Sequence, residues 1–302
     1  MQSVKNNPSN FTRRRFLKTT ASASAALSIS PKLMVSCKPA DKSAAIAMQI
    51  YTVRREIEKD LQSTLEKVAE IGYSYVETAF WPDNISLTQA AQALQKANLK
   101  VCSMHCELPS GKEESRWLEM AQAFDCDTLI WHGWPEDPRY STQKGIEELA
   151  DIYNRSYEYA AEHELKFGLH NHWWEFRNRI DGRYPYQILL EYIEPEIFFE
   201  IDTYWVKVAG LDPAQVLKDF GSRAPFLHIK DGPAKYTESL GKDEPEPMVA
   251  VGQGTQDFPS IASAGKGNTI WMIVEMDVTA TDVFIALEES YHYLTSNGLA
   301  TP

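Results

Sequence analysis

Eight short apolar runs, each followed by a longer segment with apolar residues three and four apart, constrain this chain more than any other feature. The runs fall at 46–53, 75–78, 100–106, 128–132, 166–172, 197–202, 225–230 and 270–275. Apolar runs of this length fit parallel strands buried on both faces. Between them, Leu61, Leu65, Val68 and Ile71 share one helical face, and 87–97, 114–124, 143–163, 186–193, 213–220 and 284–293 follow the same spacing. Helix starts are marked. Ser86 precedes Leu87, Asp212-Pro213 places proline at a first helical position, and Ser63 with Glu66 has the form of a capping box. Eight such alternations within residues 44–302 predict an α/β fold, a (β/α)8 TIM barrel in a single domain. A doubly wound open sheet is the alternative. It would carry a glycine-rich turn after the first strand, and Val53-Arg54-Arg55-Glu56 has none. The polar stretch 233–247 after the seventh strand reads as a long loop over the functional face.

Charge narrows the function. A formal net charge of -12 argues against a nucleic-acid partner, which needs a basic face to displace counterions. Four cysteines, Cys37, Cys102, Cys106 and Cys126, match no zinc spacing, and Cys102 and Cys106 read as small fillers of a buried strand. Eight tryptophans serve first as core material and second as platforms for sugar rings.

The N-terminal segment reads as an address. Thr12-Arg13-Arg14-Arg15-Phe16-Leu17-Lys18 resembles the twin-arginine export signal, and 19–30 is a weakly apolar Ala/Ser stretch too short and polar to span a membrane. Leu33-Met34-Val35-Ser36-Cys37 resembles a lipoprotein cleavage box, which would make Cys37 a lipid anchor. Residues 1–43 are therefore set apart from the fold. The expectation is export of a folded protein, periplasmic or membrane-anchored. A disordered basic tail is the plain alternative.

In a barrel, reactive groups lie at the carboxyl ends of the strands. Read in order, those ends carry Glu77, then His105 and Glu107, His132, His170-Asn171-His172 with Glu175 just beyond, Glu200 and Asp202, His228-Ile229-Lys230-Asp231, and Glu275 with Asp277. Five of the seven histidines fall there; His163 and His292 fall on helices and read as surface residues. Carboxylates and imidazoles crowded into one small space repel and stay desolvated unless a cation holds them. Mixed oxygen and nitrogen donors favour one divalent ion, Mn, Mg, Zn, Co or Fe.

At these residues the chain resembles the xylose isomerase-like barrel superfamily, often labelled sugar phosphate isomerase/epimerase. The resemblance runs from about Met48 to Asp277 and rests on Gln49-Ile50-Tyr51-Thr52-Val53-Arg54, His170-Asn171-His172-Trp173-Trp174-Glu175-Phe176, Asp202-Thr203-Tyr204-Trp205, His228-Ile229-Lys230-Asp231 and Val274-Glu275-Met276-Asp277. It implies a metal held by Glu, Asp, His and Glu on strands 5 to 8. Asp202, His228 and Glu275 match the last three; His170 stands where the family has glutamate, with Glu175 the other candidate for the fourth ligand. Glu275 or Glu175 is expected as base, His172 as paired acid and Lys230 as an oxyanion stabiliser, an ion pair with Asp231 or Glu200 being the competing role for the lysine. His105, His132, Glu77, Tyr51, Trp173 and Trp205 are expected at the substrate, with Trp134 and Arg54 as further candidates.

The implied activity is a metal-dependent sugar isomerase or epimerase that removes a proton beside a carbonyl through a metal-stabilised enediolate. A lyase or hydratase acting on a keto-sugar or keto-glycoside is the alternative, because His170 breaks the pairing of two ligand glutamates. A non-catalytic sugar-binding lipoprotein is the reading from another class. Abasic-site endonucleases share the fold, but the net charge speaks against one. No phosphate cradle is visible, and homo-oligomerisation is left open.

Overall fold

The computed structural model describes residues 43–302 apart from Gly111 and Glu244. The twin-arginine stretch and Cys37 lie outside the described residues. Eight parallel strands, each paired with the next, are β1 (Ala44–Gln49), β2 (Tyr75–Thr78), β3 (Lys100–Cys106), β4 (Thr128–Trp131), β5 (Lys166–His170), β6 (Phe198–Asp202), β7 (Phe226–Ile229) and β8 (Trp271–Val274). β8 also pairs with β1, from Ala45 opposite Trp271 to Met48 opposite Val274, so the sheet closes into a (β/α)8 barrel in one domain. A short β9 (Ala300–Thr301) lies parallel to the start of β1.

Strand alternation divides the barrel interior into layers. At the amino-terminal end the inward side chains are apolar: Ala47, Ile130, Phe226 and Ile273 cluster with Cys102, and Tyr75, Phe198 and Trp271 pack against them. Two residues further along the same strands the inward positions turn polar, at Gln49, His132, His228, Glu275, Glu77 and Glu200. Gly168 makes the lower layer fit, because a β-carbon there would stand 2.3 Å from the Phe198 ring. An apolar plug thus supports a polar floor, and the floor faces the carboxyl-end loops.

Several boundaries differ from expectation. The first strand stops at Gln49, and Ile50–Val53 winds into a 3-10 turn whose N-cap, Gln49, accepts the Tyr51 N–H. The cap of helix Leu61–Ile71 is Asp60, which accepts the Ser63 N–H at 3.0 Å, so Ser63 is a donor inside the helix and not its cap. Ser86 caps helix Leu87–Lys96 in a capping box with Gln89, and Asp212 caps Pro213–Phe220 as expected. Helix Phe258–Gly265, capped by Asp257, has no counterpart in the apolar spacing.

Candidate active site

Twenty residues line a cavity of about 440 Å³ at the carboxyl ends of the strands, His105, His132, His170, His172, Lys230 and Glu275 among them. His228 connects the cavity to the floor. Its Nε2 lies 2.7 Å from Glu77 Oε1 and 3.1 Å from Glu200 Oε2. Its Nδ1 faces the other way, 2.7 Å from Glu275 Oε2 and 4.0 Å from Asp202 Oδ2. The floor is a dense network. Glu77 accepts from Gln49 Nε2 at 2.6 Å and Ser103 Oγ at 2.5 Å. Glu200 Oε2 meets His105 Nε2 at 2.8 Å and His170 Nδ1 at 3.0 Å.

Above the floor, Lys230 Nζ stands among three carboxylates, 3.1 Å from Asp202, 2.8 Å from Glu275 and 3.0 Å from Asp277. Asp202 is held by its own chain. Oδ1 caps helix Thr203–Val208 by accepting the Tyr204 and Trp205 N–H groups, and Asn171 Oδ1 accepts the Asp202 N–H. No hydrogen bond of good geometry reaches its Oδ2 or His228 Nδ1, although Lys230 Nζ lies 3.1 Å from the first and Glu275 Oε2 2.7 Å from the second.

The electrostatics follow from burial and from these contacts. Burial lifts Asp202 to about 6, against the pull of Lys230 and His228. Burial opposes the charged forms of His228, His105 and Lys230, but the carboxylates around each outweigh it and all three pKa values rise. Glu200 and Glu275 are drawn down: burial resists, and His228 on the first and Lys230 on the second prevail. Burial and Glu200 raise Glu77. Burial, reinforced by neighbouring cationic rings, takes His170 and His132 down to about 3.

Charge can be counted directly. Five carboxylates, Glu77, Glu200, Asp202, Glu275 and Asp277, face one ammonium, Lys230, and two imidazoles with raised pKa, His105 and His228. Even with both imidazoles charged these carboxylates outnumber these cations, and a neutral His228, as a donor nitrogen requires, widens the excess. One donor atom each from Asp202, His228 and Glu275 lie within 4.8 Å of one another, and His105, His170, Glu200 and His228 form a second such group. Hard oxygen and imidazole donors with an excess of negative charge fit one divalent cation.

The structure brings most of the predicted site residues together and turns some to other tasks. Tyr51, Trp173, Trp205, His105 and His132 line the cavity. Glu77 does not meet the cavity: it is fully buried beneath His105 and His228 and holds them instead of a substrate hydroxyl. Glu175, expected as fourth ligand or base, points away; its Oε2 accepts the His172 N–H at 3.1 Å, and burial pushes its carboxyl up to about 8. His172 stacks on Trp174 at 4.6 Å, and burial lowers its pKa well below the usual value. That direction favours the neutral ring. Lys230 pairs with Asp202, Glu275 and Asp277 and not with Asp231 or Glu200. Asp231 instead accepts backbone N–H groups of Gly232, Gly252, Gly254, Thr255 and Gln256. The floor roles of Gln49, Ser103 and Glu200 do not follow from the sequence reading. The signal is there for Glu200, two residues ahead of Asp202 on one strand and so on the same inward face.

The chain belongs to the xylose isomerase-like TIM barrel family, whose model matches residues 65–289. Among solved structures it resembles a sugar phosphate isomerase/epimerase from Parabacteroides distasonis at 21% identity, covering 87% of this chain and 97% of that one with a TM-score of 0.70. A probable 3-DHS dehydratase from Bacillus anthracis matches at 12% identity, 83% and 98% coverage and a TM-score of 0.65. A D-allulose 3-epimerase from Methylomonas sp. matches at 15% identity, 84% and 98% coverage and a TM-score of 0.59. At these identities the likeness shows the fold. No curated protein matches the chain.

Proposed function

We propose that this chain is a divalent-metal-dependent enzyme that acts on a small carbohydrate by removing a proton next to a carbonyl, as an isomerase or epimerase. The observation that carries the reading is the convergence of donor atoms from Asp202, His228 and Glu275 in a buried pocket where carboxylates outnumber the cations facing them. Asp202, His228 and Glu275 would hold the ion, with His170 the nearest further donor, its Nε2 3.9 Å from Asp202 Oδ2. When bound, a divalent ion polarises a carbonyl and acidifies the adjacent C–H. The rest of the chemistry falls to the protein. Contact with Glu77 and Glu200 would hold a proton on His228 Nε2, so that Nδ1, which faces Glu275 Oε2 at 2.7 Å, would be the nitrogen turned to the ion. Glu275, held ionised by Lys230 and His228, is the candidate base on one side. His172, neutral and with Nδ1 unpartnered, is the proton acceptor on the other. Lys230 supplies the positive charge that steadies a developing oxyanion.

One observation favours a second reading. The two proton-handling groups are unlike, a carboxylate and a neutral imidazole, which suits loss of a β-leaving group, the work of a lyase, as well as it suits a symmetrical proton exchange. Incubation with Mn²⁺ and a panel of sugars and keto-sugars in D₂O, read by mass spectrometry, separates them. Isomerisation leaves the mass unchanged apart from one deuteron; elimination splits the substrate. Metal stripping and Asp202→Ala are each expected to cut the rate by at least about 100-fold. Full activity after both refutes the metal assignment.

A further inference from the structure

Two of the largest apolar side chains in the protein stand in water at the mouth of this cavity. Phe80, just beyond β2, is 53% exposed, and Trp134, beyond β4, is 42% exposed. Both line the same cavity as His170 and Glu275. Each is held by an edge. The Phe80 ring meets His132 at 5.1 Å and 82°, and Trp134 lies against His172 at 5.4 Å and Trp174 at 5.8 Å. Gly241 of the 230–257 loop lies beside both rings: a β-carbon there would stand 3.6 Å from the Trp134 ring and 3.3 Å from Trp173. Positioned aromatic rings left open to solvent beside a polar pocket mark a contact surface and not loose packing.

The inner pocket does not need them for a single sugar. Tyr51, Trp173 and Trp205 already wall the region around Glu275 and Lys230. A hexose, taken as six CHOH units each near the volume of a water, fills roughly 180 Å³. The cavity holds about 440 Å³, so one ring at the inner donors leaves more than half of it open. The remaining space runs to the mouth, where Lys242 and Asp243 add polar groups suited to ring hydroxyls.

Resting on the carbohydrate reading above, we propose that the substrate is a disaccharide-sized glycoside: one ring reacts against the inner donors, and the second sugar ring lies on Phe80 and Trp134. The test is calorimetric titration of the full chain, with Mn²⁺ present, against maltose, cellobiose and lactose and against their constituents D-glucose and D-galactose. At least one disaccharide is expected to bind about ten-fold more tightly than its monosaccharides. Phe80→Ala and Trp134→Ala are each expected to bring the ratio of disaccharide to monosaccharide affinity close to one, with circular dichroism confirming the fold. Monosaccharides that bind as tightly as every disaccharide overturn the outer subsite alone, as does an advantage that survives both substitutions. A fall in sedimenting mass on either substitution also overturns it, since the rings would then join two copies of the chain. Binding of no sugar overturns this inference together with the carbohydrate reading.

Discussion

At the scale of single residues, the site depends on what lies under it. Glu200 is fully buried, and one of its oxygens is shared by His105, His170 and His228 at 2.8, 3.0 and 3.1 Å. It orients three rings at once and fixes which nitrogen of His228 faces the cavity. Replacing such a supporting carboxylate with its amide keeps the shape and loses the charge. Glu200→Gln is therefore expected to weaken Mn²⁺ binding by about 10–100-fold, measured by calorimetry. An unchanged dissociation constant would remove Glu200 from the site. Strand alternation shows which residues share an inward face, and position at the strand ends with the family resemblance singles out Asp202, His228 and Glu275, which the fold brings within reach of one another. Alternation does not show depth along the barrel axis, which depends on the stagger between strands. Glu77 departs from its expected place for that reason: it lies near the end of its strand, as expected, yet beneath the histidines it supports.

At the scale of elements, all eight strands are legible as apolar runs, because burial on both faces leaves little room for polar residues. Their ends are not. Ile50-Tyr51-Thr52-Val53 is as apolar as the strand it follows, and a short apolar run does not reveal whether it is strand or helical turn. Helix Phe258–Gly265 is hidden by its Ser, Pro and Gly content, although Asp257 and Pro259 are start signals. The loop between β7 and that helix owes its shape to one side chain. Asp231 Oδ1 accepts from Gly232, Thr255 and Gln256, and Oδ2 from Gly252 and Gly254, at 2.8–3.2 Å. Gly254 permits the approach, since a β-carbon there would stand 2.1 Å from Asp231 Oδ1. An amide accepts at one atom only and sets an NH₂ group against donors. Asp231→Asn should destabilise the protein by about 2–4 kcal/mol. It should also open 233–257 to protease several-fold faster than the rest of the barrel, read by limited proteolysis with mass spectrometry. Uniform cleavage along the chain would show that Asp231 does not pin the loop.

At the scale of the whole molecule, the barrel supports a set of ionisable groups whose protonation differs from that of the unfolded chain, so its stability depends on pH. Glu175 gives the cleanest case, since it lies outside the cavity and its shift is set by burial first. Its folded pKa of about 8 stands above the ordinary glutamate value of 4.5. Below pH 4.5 the carboxyl is neutral in both states and costs nothing. Between the two values the unfolded chain releases the proton and the folded chain keeps it, so stability falls by about 1.4 kcal/mol per pH unit as pH rises. Above the folded value the carboxyl is ionised in both states and the loss levels off. Glutamine keeps an oxygen to accept the His172 N–H and has no proton to retain, so Glu175→Gln should be free of this slope. The variant's melting temperature is expected to match or trail the parent's near pH 5 and to gain on it steadily up to pH 8, in thermal melts across that range. A difference that stays constant with pH would mean that Glu175 is already ionised in the folded barrel and that burial does not raise its pKa.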